Sequence, residues 1–146
     1  MTDTLGRIVR TPIRVMIVED QALLRQGLVS LLETHQDISV VAQAGSGEEA
    51  LTLFEATQPD VTLMDLKLPE MDGVTTIRRL RERYPTCRIL ALTNFDEEER
   101  VTSALMAGAL GYLLKNVSIE ALAGAIRSAM DGSQTLSPEV TRTLLQ

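Results

Sequence analysis

Four apolar runs in this chain end on side chains suited to holding phosphate and metal. Val15-Met16-Ile17-Val18 runs into Glu19-Asp20, and Val61-Thr62-Leu63-Met64 into Asp65. Ile89-Leu90-Ala91-Leu92 runs into Thr93, and Gly111-Tyr112-Leu113-Leu114 into Lys115. A carboxylate at a strand end can attack phosphorus and carry an acyl phosphate, which makes Asp65 the candidate nucleophile. Glu19 and Asp20 beside it would crowd carboxylates that repel one another unless a cation lies between them. Mg²⁺ suits such a set, since it takes a few carboxylate oxygens and completes its shell with water and phosphate oxygens. Lys115 offers an ammonium and Thr93 a hydroxyl donor to phosphoryl oxygens. Phosphoryl transfer is mostly positioning and charge stabilisation, so this short inventory is enough.

Each residue also has a plainer reading. Asp65 alone could simply solvate a strand end. Asp20 could cap a helix opening at Gln21-Ala22 while Glu19 faces water. Thr is common in strands and Lys is common everywhere. What favours the chemical reading is that all of these residues occupy matching places in the chain's pattern.

That pattern is an alternation of strands and helices. Short runs rich in Val, Ile and Leu fall at residues 14–18, 38–44, 61–64, 88–92 and 111–114, apolar on both faces as buried parallel strands are. Between them, apolar residues recur at helical spacing: Leu24, Leu28, Leu31 and Leu32, then Val101, Ala104 and Leu105, then Leu122, Ile126, Ala129 and Met130. Met106 and Met130 read as core. Ser46 with Glu49 and Asp96 with Glu99 form capping boxes, and Asp72 and Ser118 are good N-caps. Gly108 is placed to stop a helix. The order βαβαβαβαβα implies a doubly wound parallel sheet with helices on both faces. In such a sheet the strand ends of one sense lie at one edge, where ligands bind.

Bulk properties narrow the function. The 146 residues, 45% apolar and 23% charged, suit one globular domain. A net charge of −6 makes the segment itself a poor ligand for nucleic acid. No apolar stretch has the length of a membrane span, and no secretory signal is present, so a cytoplasmic location is expected. Cys87 is the only cysteine and reads as a small buried hydrophobe. His35 reads as a helix-end residue rather than a catalytic one. Arg78, Arg79, Arg81 and Arg83 read as a solvated face, and the acids from Asp96 to Glu99 as complements to a helix dipole.

Gly45-Ser46-Gly47-Glu48-Glu49-Ala50 fits a dinucleotide-binding fingerprint, G-x-G-x-x-A. Two glutamates in the first helical turn would repel a pyrophosphate, and the capping box explains the segment without a ligand. The fingerprint also leaves Glu19, Thr93 and Lys115 without a role.

Taken together, Ile17 to Asp20, Leu63 to Gly73, Leu92-Thr93 and Gly108 to Lys115 resemble the receiver domain of bacterial two-component response regulators. The resemblance covers about residues 13–131. It implies a flavodoxin-like fold with strand order 2-1-3-4-5 and a regulatory phosphoacceptor rather than a turnover enzyme. Asp65 would accept a phosphoryl group from a sensor histidine kinase. Asp20, Asp65 and the backbone carbonyl of Lys67 would bind Mg²⁺, with Glu19 acting through water. Thr93 and Lys115 would contact the phosphoryl oxygens, and Tyr112 resembles a switch aromatic that swings inward when Thr93 moves. Lys67 and Asn94 lie where the acyl-phosphate lifetime is modulated, although a solvated loop charge explains Lys67 as well. Asn116 stands where many receivers have proline.

Gly111 to Lys115 and the Ser137-Pro138-Glu139-Val140 linker resemble the NarL/FixJ subfamily, whose output is a LuxR-type helix-turn-helix. Residues 1–12 are then expected to be a flexible leader, and 132–146 a linker and the start of a C-terminal DNA-binding region that continues further. A homodimer formed on phosphorylation is the implied active species. A pseudo-receiver that acts without phosphorylation is the main rival.

Overall fold

The computed structural model describes residues 5–6, 11–94 and 97–131. Most of the expected leader, Asp96 and all of 132–146 lie outside the described residues. The chain alternates β1 (Ile13–Val18), α1 (Ala22–Leu32), β2 (Ile38–Ala44), α2 (Gly47–Thr57), β3 (Val61–Asp65), α3 (Gly73–Arg83), β4 (Ile89–Thr93), α4 (Glu98–Ala107), β5 (Gly111–Leu114) and α5 (Ile119–Met130). The strands form one parallel sheet in the order β2-β1-β3-β4-β5. From β1 the chain first crosses to one side and then returns to the other. The reversal falls between β1 and β3, so the crevice opens where their C-terminal ends diverge. Glu19-Asp20 and Asp65 stand at those ends.

Side chains alternate along each strand, and the two sheet faces build separate cores. Met16, Val18, Met64, Ile77, Leu80, Val101 and Ala104 pack on the face covered by α2, α3 and α4. Val15, Ile17, Leu63, Leu90, Leu122 and Ile126 pack on the face covered by α1 and α5. The central strands β3 and β4 are buried at every position, as expected of strands covered on both sides.

The caps behave as their chemistry dictates. Ser46, Asp72 and Ser118 accept backbone N–H bonds from Glu49, Thr75 and Ala121. The Glu49 carboxylate returns to the Gly45 N–H at 3.2 Å, one residue earlier than a strict capping box. Gly108 ends α4 at φ 119°, a conformation that favours glycine.

Several expectations need correction. Strands β3 and β4 run one residue further than expected and end on Asp65 and Thr93 themselves. Leu31 and Met106 share helical spacing with core residues, yet they are 50% and 84% exposed. Each lies at the margin of an apolar stripe, where helical periodicity alone does not distinguish core from rim. Arg81 is not part of a solvated face. Its guanidinium donates to the Cys87 carbonyl at 3.1 Å, and its stem lies against Gly108. Arg83 does face outward, pairing with Glu55 at 3.0 Å.

Gly47 explains the fingerprint-like segment. A Cβ there would stand 2.3 Å from the Thr76 hydroxyl, so the glycine lets α2 approach α3. Cys87 is buried and free, and burial pushes its thiol pKa up, consistent with a packing role. Among the described residues no helix is long and apolar enough to cross a membrane.

Candidate functional site

The acid side of the crevice is set by backbone contacts. The Glu19 N–H donates to the Ala44 carbonyl at 2.9 Å, carrying β1–β2 pairing up to the site. The Glu19 carbonyl accepts from Arg25 Nη1 at 2.6 Å. Asp20 does not cap α1: the N-cap is Gln21, which makes no side-chain cap bond. Instead the Gln21 N–H leans toward Glu19 Oε2 at 3.4 Å. Asp20 is thereby left exposed at the rim, with its carboxylate unclaimed by the helix.

Asp65 is held from below and from the side. It is 1% exposed at the end of β3. After it, Leu66 and Leu68 turn inward while Lys67 and Pro69 face out, which anchors the loop. Glu70 takes a left-handed φ of 64°, and the Gly73 N–H closes the loop on the Leu66 carbonyl at 3.1 Å. A Cβ on Gly73 would stand 2.2 Å from the Asp65 carbonyl oxygen, so only glycine allows α3 to start this close.

The side chains converge as their positions in the sequence imply. Glu19, Asp20 and Asp65 each bring a carboxylate oxygen within 4.8 Å of the others. Lys115 Nζ lies 3.1 Å from Glu19 Oε1 and 3.1 Å from Asp65 Oδ1. The Lys67 N–H also donates to Asp65 Oδ1, at 3.0 Å. The other oxygen, Asp65 Oδ2, is buried and makes no hydrogen bond. A carboxylate oxygen in that condition is costly unless something binds it. Asp20, Asp65, Lys67 and Lys115 line a cleft of about 600 Å³ with Asn94 and Arg100.

Electrostatics follow from the crowding. Burial, reinforced by Asp65, raises the Glu19 pKa, and Lys115 only partly offsets this. Burial works against the Lys115 ammonium, but Asp65 and Glu19 outweigh it and raise its pKa. A divalent cation would relieve the same repulsion that raises Glu19. The donor set fits Mg²⁺: hard carboxylate oxygens, one of them buried without a partner, beside an open cleft.

The far side of the crevice is arranged differently. Thr93 is 1% exposed at the end of β4, and its hydroxyl donates to Glu97 Oε2 at 3.0 Å. Tyr112 is 1% exposed and packs in the α2–α3–α4 core. The ring is therefore already inward in this structure.

The chain matches the response regulator receiver domain over residues 15–127. It belongs to that family. The receiver is 38% identical over 134 residues to the transcriptional regulatory protein DegU of Brevibacillus brevis, covering 92% of this chain and 57% of that protein. It is 38% identical over 128 residues to the response regulator protein VraR of Staphylococcus aureus, covering 88% and 61%. A solved two-component response regulator of the LuxR family from Aurantimonas superposes with a TM-score of 0.86 at 32% identity, covering 92% of this chain and 96% of that one. The receiver thus spans about three-fifths of the two curated relatives.

Arg25 and Arg100 stand at the receiver's site and were not singled out by sequence reasoning, and Glu97, read there only as part of an acidic run at a helix start, turns its carboxylate back to Thr93. Arg25 had a visible signal, a charge on the first turns of an apolar helix that leaves the site. Arg100 had none, because a base in the first turn of a helix is ordinary.

Proposed function

We propose that this receiver takes a phosphoryl group on Asp65 from a sensor histidine kinase and thereby controls an output domain. The observation that carries the reading is Asp65 itself. One oxygen is held by Lys115 and the Lys67 N–H, while the other is buried and unclaimed in the cleft. A carboxylate oxygen of Asp65 attacks phosphorus, an O–P bond forms, the P–N bond of the phosphohistidine breaks, and the imidazole leaves with the electron pair. Lys115 holds the carboxylate in line and then faces the new phosphoryl oxygens. Thr93 offers its hydroxyl from the opposite strand. Asp20, Asp65 and the Lys67 carbonyl would hold Mg²⁺, with Glu19 acting through water. The bound ion would neutralise charge on the transferring group.

Phosphorylation adds nearly two negative charges and three acceptor oxygens. Contacts from Thr93 and Lys115 favour one of two conformations, and the shift reaches the face built by α4, β5 and α5. In this reading residues 13–131 are the receiver. Residues 132–146 are read as a linker and the start of a C-terminal output region of LuxR type, dimerisation follows phosphorylation, and the output is transcription control in the cytoplasm. The relatives named as transcriptional regulators support that output.

The test is intact-mass measurement after incubation with Mg²⁺ and acetyl phosphate. A single phosphoryl adduct that requires Mg²⁺ and is lost in Asp65→Asn supports the reading. An unmodified wild type, under conditions that label another receiver, would instead indicate a phosphorylation-independent module.

A further inference from the structure

We propose that Glu97 is a positioning residue for this site, deciding which acceptor the Thr93 hydroxyl serves. The inference rests on the phosphoacceptor reading above. Thr93 Oγ1 donates to Glu97 Oε2 at 3.0 Å and lies 3.3 Å from the Asn94 carbonyl. A hydroxyl has one hydrogen to give. While Glu97 takes it, a phosphoryl oxygen on Asp65 cannot. Thr93 is 1% exposed, so bulk water does not readily replace either partner.

Charge sharpens the competition. The phosphoryl group carries nearly two negative charges, and a carboxylate held on Thr93 would repel it. Both anions cannot share that hydroxyl, so filling the site on Asp65 displaces Glu97. Its displacement has a structural consequence, because Glu97 is the N-cap of α4. Its carbonyl accepts from the N–H groups of Arg100 and Val101 at 3.1 and 3.2 Å. Its side chain makes no cap bond to α4. It reaches back to β4 instead. The same residue therefore ties the Thr93 hydroxyl to the first turn of α4. Releasing it passes the arrival of a phosphoryl group directly to that helix.

The experiment uses the whole chain and beryllofluoride as the phosphoryl mimic, titrated calorimetrically at saturating Mg²⁺. Glu97→Ala is expected to bind beryllofluoride about tenfold tighter, the lower end of the scale for one competing charged hydrogen bond. Its affinity for Mg²⁺ alone is expected to be unchanged. In a Thr93→Val background, which has no hydrogen to compete for, the Glu97 substitution is expected to change nothing. Glu97→Gln keeps the shape with a weaker acceptor and is expected to tighten binding less, so it serves if the alanine variant folds poorly. Unchanged affinity in both Glu97 variants would overturn the proposal. Equal tightening in the Thr93→Val background would also overturn it, since that is a plain charge effect. A wild type that binds no beryllofluoride and takes no phosphoryl group would fail at the earlier reading, and the role of Glu97 would fall with it.

Discussion

The two sides of the crevice differ in what holds their functional side chains. On the β1–β3 side, main-chain atoms anchor the two buried acids: the Glu19 backbone bonds Ala44 and the Arg25 guanidinium, and the Asp65 carboxylate accepts from the Lys67 N–H above a loop closed on Gly73. On the β4–β5 side the backbone is paired as well, the Lys115 N–H donating to the Thr93 carbonyl at 2.9 Å, but the functional side chains are held by other side chains: Thr93 by Glu97, and Lys115 by Glu19 and Asp65. Backbone pairing is hard to rearrange, whereas a side-chain hydrogen bond exchanges partners at little net cost. The difference assigns the labour. The acid side is a preformed seat for a cation and a nucleophile. The opposite side is where a change of partner can start a movement.

The largest effect should come from closing the gap that the acid side depends on. Gly73→Ala puts a methyl group into the Asp65 backbone, which cannot yield as a side chain can. It should cost about 2–3 kcal/mol and abolish the phosphoryl adduct, read by thermal melting and intact mass. Gly108→Ala, between α4 and the start of β5 at the sheet edge away from the crevice, meets only the flexible Arg81 stem and a left-handed φ. It should cost about 1–2 kcal/mol and keep the adduct. Equal loss of adduct in both would erase the contrast.

Next in size is Arg25. Its Nη1 holds the Glu19 carbonyl, while its Nε is buried without a partner. Arg25→Met keeps the packing and removes the donor. Mg²⁺ affinity should fall about tenfold, on the scale of a charged hydrogen bond, with Arg25→Lys partly restoring it. The chain has no tryptophan, so calorimetry is the suitable readout.

Acidification should separate the site from the surface. The folded-state pKa of Glu19 is raised, so the folded protein holds that proton more tightly than the unfolded chain. Its contribution to stability is full below the ordinary glutamate value of 4.5 and is lost as pH rises through the raised value. Metal-free protein should therefore carry a Glu19 contribution that improves on acidification from neutral pH, and Glu19→Gln should remove it. Wild type and variant melting in parallel across that range would contradict this.

The smallest effect belongs to the surface. Arg127 grips Asp37 with bonds of 2.6 and 3.0 Å, and the Arg127 hydrogen bond depresses the Asp37 pKa. This contribution runs the other way: it is present at neutral pH and lost as pH falls through the lowered value. Both groups are exposed, so Arg127→Ala should cost only about 0.5 kcal/mol at neutral pH and less in acid.

How much of this was legible follows from the same contrast. Hydrophobic runs and caps reveal strands, helix starts and strand ends, so the sheet and the convergence of Glu19, Asp20, Asp65 and Lys115 could be read from the chain. Periodicity does not say how far a neighbour covers a stripe, which is why Met106 was read as core and Leu31 was grouped with an apolar stripe. Arg81 looked solvated because its partner, the Cys87 carbonyl, carries no side-chain signature. Glu97 was hidden for a related reason: its bond to Thr93 depends on how α4 begins, and that is a matter of tertiary placement.

The most direct measurement is the structure of this chain with Mg²⁺ and beryllofluoride. The account expects Glu19, Asp20 and Asp65 to stay where they are. It expects the Thr93 hydroxyl to have left Glu97 for a fluorine, with the first turn of α4 displaced. A bound mimic with Thr93 still on Glu97, or with the acid loop rebuilt around the ion, would contradict it.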